Sequence, residues 1–303
     1  MNLLLLLVNG TLIAGIYACA KVAAEAGLPA FGVVAWQLLF AAAAITGVAA
    51  LRGQLPTPDR RSMRYAAIAG ALGISAPNLI TFAALAHLPA GLIGVIGALS
   101  PVFTYAIALA IGVERLQRLR AVGIALGLAG VLTMLMPRSA LPDAASLPWA
   151  LLALAGPLLL AGGNLFRSLA WPPGLQPLSA ASLMLLVQAS LLAPLALVLG
   201  QLPWPSPSLA PADLALLGAG MLTTALYLSA FELQRRAGPV VVGQLGYVIT
   251  AASLLIGAVA FDERHGAAAF AAVALVFAGV MLVQRNTAPA VRPTAGRAAE
   301  CRP

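Results

Sequence analysis

The sequence predicts an all-α polytopic membrane protein: ten transmembrane helices, arranged as two inverted-topology repeats of five around a central cavity. Three observations lead there. The 303 residues are 61% hydrophobic and 9% charged, with a mean hydropathy of +0.98, whereas a soluble domain carries about 25% charged residues. The chain also lies over itself at a shift of 149 residues. Glu114-Arg115 then falls on Glu263-Arg264, Ala129-Gly130-Val131 on Ala278-Gly279-Val280, Gly94 and Gly97 on Gly243 and Gly246, and Phe82 on Phe231. Finally, each copy holds five apolar runs. An odd number of crossings turns the second copy upside down, the plan on which many secondary transporters are built.

A membrane helix needs roughly 20 mainly apolar residues, and the spans are read in order from such runs. In the first repeat, 1–137, they cover 2–24, 30–51, 63–86, 90–112 and 119–137. The first carries Tyr17 and Lys21, the second Trp36 and Gln37, the third Pro77 and Asn78. On the fourth, Gly94, Gly97, Pro101 and Tyr105 recur three or four residues apart and so share one face. A loop, 138–146, leads to the second repeat, 147–286, with spans 147–169, 177–199, 211–234, 238–261 and 266–285. Pro157, Asn164 and Arg167 mark the sixth, Gln188 and Pro194 the seventh, Tyr227 and Glu232 the eighth. On the ninth, Gly243, Gly246, Tyr247 and Thr250 repeat the one-face spacing of the fourth. The tail, 287–303, is rich in Ala, Pro and Arg and reads as disordered.

Charge orients the spans. With the amino terminus in the cytoplasm, 14 of the 17 Arg and Lys residues fall in inside loops and the tail; only Lys21, Arg138 and Arg264 fall outside. That is the positive-inside pattern, and it puts both termini in the cytoplasm. The net charge of +8 is thus a topology signal rather than a nucleic-acid footprint, helped by anionic headgroups. Residues 1–24 lack a basic n-region, and Tyr17 is bulky at a would-be cleavage site, so they read as a retained span. Cys19 in a helix and Cys301 in the tail do not make a structural disulfide.

Function classes fall away on what the chain lacks. Its one lysine, Lys21, precedes Val22, so a phosphate loop ending in Lys-Ser/Thr cannot form. No H-E-x-x-H and no Cys/His cluster offers a metal site, no cofactor is implied, and Ser75 has no His partner at matching depth. A carrier remains, with a channel or a non-transporting scaffold as rivals.

Lipid offers no hydrogen bonds, so polar groups and helix breaks belong where protein or a water-filled cavity satisfies them. The glycines of spans four and nine serve either as a packing seam between helices or as a cavity wall; both readings stand. The candidate substrate-binding residues are Asn78, Pro101, Tyr105, Asn164, Gln188, Tyr227, Gln244 and Tyr247. Tyr227 and Phe231 mirror Asn78 and Phe82 at the 149-residue shift, setting a phenol opposite an amide. Lys21 suits a surface pair with Glu25 as well as a site, and the recurrence of Glu114 and Glu263 at helix ends suggests a repeated brace. Glu232 is read as a partner of Arg235 and Arg236, and His87 and His265 as loop residues.

Ala98-Leu99-Ser100-Pro101-Val102-Phe103, Gly112-Val113-Glu114-Arg115-Leu116 and the run Gly123–Val131, with Asp262-Glu263-Arg264 and Ala278-Gly279-Val280 in the second copy, resemble the drug/metabolite transporter superfamily of the EamA type. Over residues 1–286 the chain is similar to bacterial aromatic amino-acid exporters of the inner membrane. The second copy departs from the first at Tyr247-Val248-Ile249-Thr250. The resemblance implies four wall helices and one bracing helix per repeat, alternating access around a midplane site, and a monomer in the lipid bilayer exporting amino acids. Export of drugs or nucleobase-like metabolites is the rival within the superfamily. The resemblance leaves open whether export is passive or coupled to protons.

The inverted arrangement is tested by cysteine labelling. Single cysteines introduced into loops 113–118 and 262–266 should label from opposite sides of the membrane, the first from the cytoplasm. Labelling of both from one side would remove the basis for an inverted repeat.

Overall fold

The computed structural model of the chain describes residues 2–56, 59–113, 116–135, 144–204, 210–242, 245–263 and 266–284. Among them the regular elements are helices, and no strand occurs. In chain order they are α1 (Asn2–Glu25), α2 (Ala30–Leu51), α3 (Arg60–Leu85), α4 (Ala90–Ala110), α5 (Arg118–Leu135), α6 (Leu147–Ala170), α7 (Pro177–Val198), α8 (Pro211–Val242), α9 (Leu245–Ala260) and α10 (Ala267–Gln284). Among the described residues, seven stretches are long and apolar enough to cross a membrane: Leu4–Glu25 of α1, α2, α3, α4, α6, α7 and Pro211–Ala230 of α8. Large apolar side chains such as Leu191, Leu255 and Phe270 point outward and stay well exposed. An apolar outer surface on an apolar core marks a multi-pass membrane protein, because the solvent of that surface is lipid.

Three of the four prolines placed within spans come with a local break, whereas Pro194 lies inside an uninterrupted α7. α3 passes through a π turn at Ala71–Ser75, just before Pro77. α4 is interrupted at Ala98-Leu99 and restarts at Ser100, with Pro101 in its first turn. There the missing proline N–H does least harm. α6 breaks at Leu154, ahead of Pro157. One boundary differs from expectation. α8 does not end near 234 but continues to Val242, and α9 begins at Leu245 rather than 238. Leu233-Gln234-Arg235-Arg236-Ala237 are good helix formers, and no Gly or Pro precedes Gly238 to stop them.

In lipid, helices associate through close packing and hydrogen bonds rather than hydrophobic burial, and here small residues set the approach. A Cβ on Gly163 of α6 would lie 2.8 Å from the Gly73 backbone of α3. A Cβ on Gly279 of α10 would lie 2.5 Å from the Gly123 carbonyl oxygen of α5, and Gly130 of α5 meets α10 at Ala272. α5 and α10 therefore cross antiparallel. So do α4 and α9: Gly91 sits beside Gly257, Gly94 beside Thr250 and Ser253, and Ala98 beside Gly246. The Thr250 hydroxyl donates to the Gly94 carbonyl at 3.1 Å, tying the seam.

Polar bridges join the two halves of the chain elsewhere. Thr46 of α2 and Ser182 of α7 share a 2.8 Å hydrogen bond, and Ser179 donates to the Gln54 carbonyl at 2.8 Å. Gln37 of α2 donates to Thr223 of α8 at 2.7 Å. Ser229 of α8 donates to Asn9 of α1 at 3.2 Å.

Two glycine substitutions separate packing from propensity. Gly163→Val forces α3 and α6 apart and should cost about 1–3 kcal/mol, the usual penalty of overpacking. Gly47→Ala, with nothing within 4 Å of the added carbon, should be neutral or slightly stabilising. Thermal unfolding of the two variants in detergent checks the contrast; equal melting temperatures would mean the glycine contact is not close.

Candidate functional site

The helix termini gather into two ends of the bundle. At one, where α1 stops and α4 starts, charges meet. The Glu263 carboxylate accepts the Ala90 N–H at 2.7 Å and the Gly91 N–H at 3.1 Å. Those are donors left over at the N-terminus of α4, where a negative charge is favourable. Lys21 of α1 pairs with the same carboxylate at 3.2 Å and donates to the Leu88 carbonyl at 3.4 Å. The more exposed Glu25 stands farther off, at 4.0 Å. Lys21 also lies 5.3 Å from the centre of the Phe261 ring. The partner expected from helical spacing is thus secondary, and the stronger one comes from 242 residues down the chain. Nearby, the His87 ring stacks on Trp149, Ser146 donates to the His87 carbonyl, and Trp36 donates to the Pro203 carbonyl.

The opposite end carries a polar groove of about 320 Å³ between the α2–α3 and α6–α7 loops, with Gln54, Asp59, Ser62, Gln176 and Ser179 among its walls. Asp59 caps α3 by accepting from the N–H groups of Arg61 and Ser62. Its bond to the Ser62 side chain, aided by that Arg61 N–H, holds its carboxyl below the ordinary range. The cap is thus in force at neutral pH and is lost as pH falls through that lowered value.

Between the ends lie the candidate residues, and the structure sorts them. Asn78 on α3 is half-buried and has no hydrogen-bond partner among the described residues. Asn164 on α6 is half-buried and accepts a hydrogen bond from Arg167 one turn on. Tyr227 on α8 is half-buried, within range of the Arg167 charge. Pro101 opens the second part of α4, and the preceding Gly97 lies near the Tyr17 hydroxyl. Two candidates are occupied elsewhere. Gln188 is 1% exposed and bridges α7 to α3: its amide oxygen accepts from Ser75 at 2.7 Å and its nitrogen donates to the Ala67 carbonyl at 3.1 Å. Gly70 leaves the room that this crossing needs. Tyr105, 5% exposed, accepts the Gln117 N–H at 3.0 Å and packs its ring under Arg120 at 4.8 Å, fastening the loop between α4 and α5. Gln244 and the side chain of Tyr247 lie outside the described residues, as do Glu114, Arg264, His265, the tail from 285 and the side chains of Phe231 and Glu232.

Other polar groups join the interior without having been singled out as candidates. Tyr65 of α3 is 3% exposed, with its ring stacked on Phe166 at 6.0 Å and edge-on to Trp171 at 5.7 Å. Gln37 buries its amide oxygen with no partner among the described residues. Nothing in the local spacing marks Tyr65: it sits in the basic first turns of α3, where an aromatic reads as an interface anchor.

Residues 1–136 and 147–285 match the EamA-like transporter family. The chain belongs to that family. EamA-like proteins are membrane transporters of small metabolites, not enzymes. A crystal structure of another protein shares the fold, with a TM-score of 0.62 over 91% of this chain and 94% of that one, at 18% identity. No curated protein matches the sequence.

The Glu263 brace of this EamA-like transporter is testable. Losing one partner of a desolvated, hydrogen-bonded ion pair costs on the order of 3 kcal/mol, so Glu263→Ala should lower the melting temperature clearly. Glu25→Ala removes an exposed pair and should change stability by under about 1 kcal/mol. Equal effects in thermal unfolding would show that Glu263 is only a surface charge.

Proposed function

We propose that the chain is a secondary transporter that exports amino acids, aromatic and other neutral ones, across the bacterial inner membrane by alternating access. It crosses ten times, with both termini in the cytoplasm, and its two five-helix repeats are inverted around a central cavity. The observation that carries this reading is the antiparallel crossing of α4 on α9, helices that occupy matching places in the two repeats. Two copies of one unit meeting head to tail on a small-residue seam are what rocking about a midplane site requires. α5 and α10 meet in the same sense and act as braces.

The substrate class is argued from the chemistry of the interior. A zwitterion is best held by amide, hydroxyl and aromatic groups with few full charges. Asn78, Asn164 and Tyr227 supply these from α3, α6 and α8, and Pro101, Gln244 and Tyr247 complete the lining. The Lys21–Glu263 pair ties α1 to the start of α4 at the end that faces the periplasm in this topology, and the substrate enters from the opposite, cytoplasmic end. An exporter must load from that side.

Purified protein in liposomes should carry radiolabelled tryptophan, phenylalanine, methionine or threonine with saturable kinetics. Flux that rises without saturation would indicate a channel, and no flux of any amino acid would overturn the amino-acid assignment. A nucleobase or cationic drug carried in their place identifies the rival substrate class. A substrate hydrogen bond to an uncharged group contributes about 0.5–1.5 kcal/mol. Asn78→Ala should therefore raise the apparent KM by about two- to tenfold while membrane insertion stays normal; an unchanged KM and rate would remove Asn78 from the lining.

A further inference from the structure

We propose that Arg167 is the carboxylate anchor of the transport site, with the phenol of Tyr65 as its companion donor. The inference rests on the transporter reading above and narrows its substrate class to molecules bearing a carboxylate.

Arg167 projects from the last turns of α6, and one of its terminal nitrogens donates to Asn164 Oδ1. Asn164 thereby fixes the guanidinium plane, because both residues sit on the same face one turn apart. An arginine has five N–H donors in a planar fork, and this bond uses part of one edge. Among the described residues no carboxylate lies within 4 Å of it; the ion pairs there belong to Lys21. A guanidinium inside a bundle is costly unless something anionic answers it. It is only half-buried.

The surroundings fit an anion of carboxylate size. The guanidinium carbon reaches α3 at Gly73, where even an added Cβ would stand 3.9 Å away. Space beside the fork is thus left by a residue with no side chain. Tyr65 of α3 is brought to this end of α6 by its ring stack on Phe166, the residue before Arg167, at 6.0 Å. The Tyr65 hydroxyl is buried and has no hydrogen-bond partner among the described residues. That is an unmade bond with a definite chemical demand: it needs an acceptor beside a cation. A carboxylate meets both requirements, because its two oxygens accept the arginine fork in parallel and still have lone pairs for a phenol O–H group. Lysine would not substitute, since it lacks the planar fork.

The arrangement is also one-sided. At the 149-residue shift, Arg167 answers to Ala18 and Tyr65 to Leu214, so only one repeat-related position is cationic. A substrate with one anionic end would bind in one orientation, with its carboxylate toward Arg167 and its other end toward Asn78.

The test compares paired probes on the full-length protein. L-Tryptophan and L-tryptophanamide differ at the carboxylate. Indole-3-acetate keeps the carboxylate without the ammonium. Binding is read by thermal stabilisation in detergent, and transport by competition with labelled tryptophan in proteoliposomes. The wild type should prefer tryptophan to its amide. Arg167→Gln should weaken tryptophan and indole-3-acetate tenfold or more while changing tryptophanamide less than twofold. Arg167→Lys should lose most of that preference, and Tyr65→Phe should weaken the two carboxylates several-fold and spare the amide. The milder Tyr65 variant serves if Arg167→Gln does not fold. Equal weakening of acid and amide would make Arg167 a structural residue, and unchanged carboxylate binding in folded variants, or no carboxylate stabilising the wild type, would overturn the proposal. Failure of the transporter reading looks different: carboxylates would bind in an Arg167-dependent way, with no saturable flux of any solute.

Discussion

Everything in this fold depends on backbone meeting backbone across helices in a medium that cannot hydrogen-bond. In water, two apolar helices are pressed together by the solvent; in lipid the tails are as apolar as the side chains, and only contact itself is favourable. Gly94 against Thr250 and Ser253, Gly73 against Gly163, and Gly127 against Gly279 are therefore the contacts on which the bundle is hung. Each brings two chains nearer than a side chain would permit. At the first of them the nearness places a hydroxyl within bonding reach of a backbone carbonyl.

The polar residues follow the same economy. Many are absorbed in pairs across helices: Gln188 with Ser75 and Ala67, Thr46 with Ser182. Low dielectric makes a completed pair strong and an incomplete one costly. That contrast gives meaning to the few left incomplete. Among the described residues, Asn78, the Gln37 amide oxygen, the Tyr65 hydroxyl and one edge of Arg167 stand apart from the bridges, on α2, α3 and α6.

Much of this was legible in the residues. Composition and the lengths of the apolar runs settled the class, and the helix breaks at Pro77, Pro101 and Pro157 lie where the prolines pointed. The brace at Glu263 was legible in part: an acid recurring at helix ends suggested a repeated brace, of which the Glu114 copy lies outside the described residues. What Glu263 would cap was not legible, since Ala90 and Gly91 lie more than 170 residues away in sequence. The same limit explains Gln188 and Tyr105. An amide deep in an apolar run looks alike whether it faces a cavity or another helix, and only the partner helix decides. The end of α8 was missed for a different reason: charge was read as a loop in Arg235-Arg236, where helix propensity prevails.

The π turn in α3 carries a consequence of its own. Buried positions run 62, 65, 66, 69 and 70 along its first part, 74 and 75 within the turn, then 77, 82, 84 and 85. The wider turn takes up one extra residue, so the two parts of α3 are out of phase. The first part faces Gln188 of α7, and the second faces Gly156 of α6 through Pro77 and Thr81. One continuous rod thus presents its small and polar residues to two different neighbours without a kink or a loop. Deleting a single residue between 71 and 75 would bring the phases back together and turn everything from Pro77 to Leu85, Asn78 included, about 100° around the helix axis.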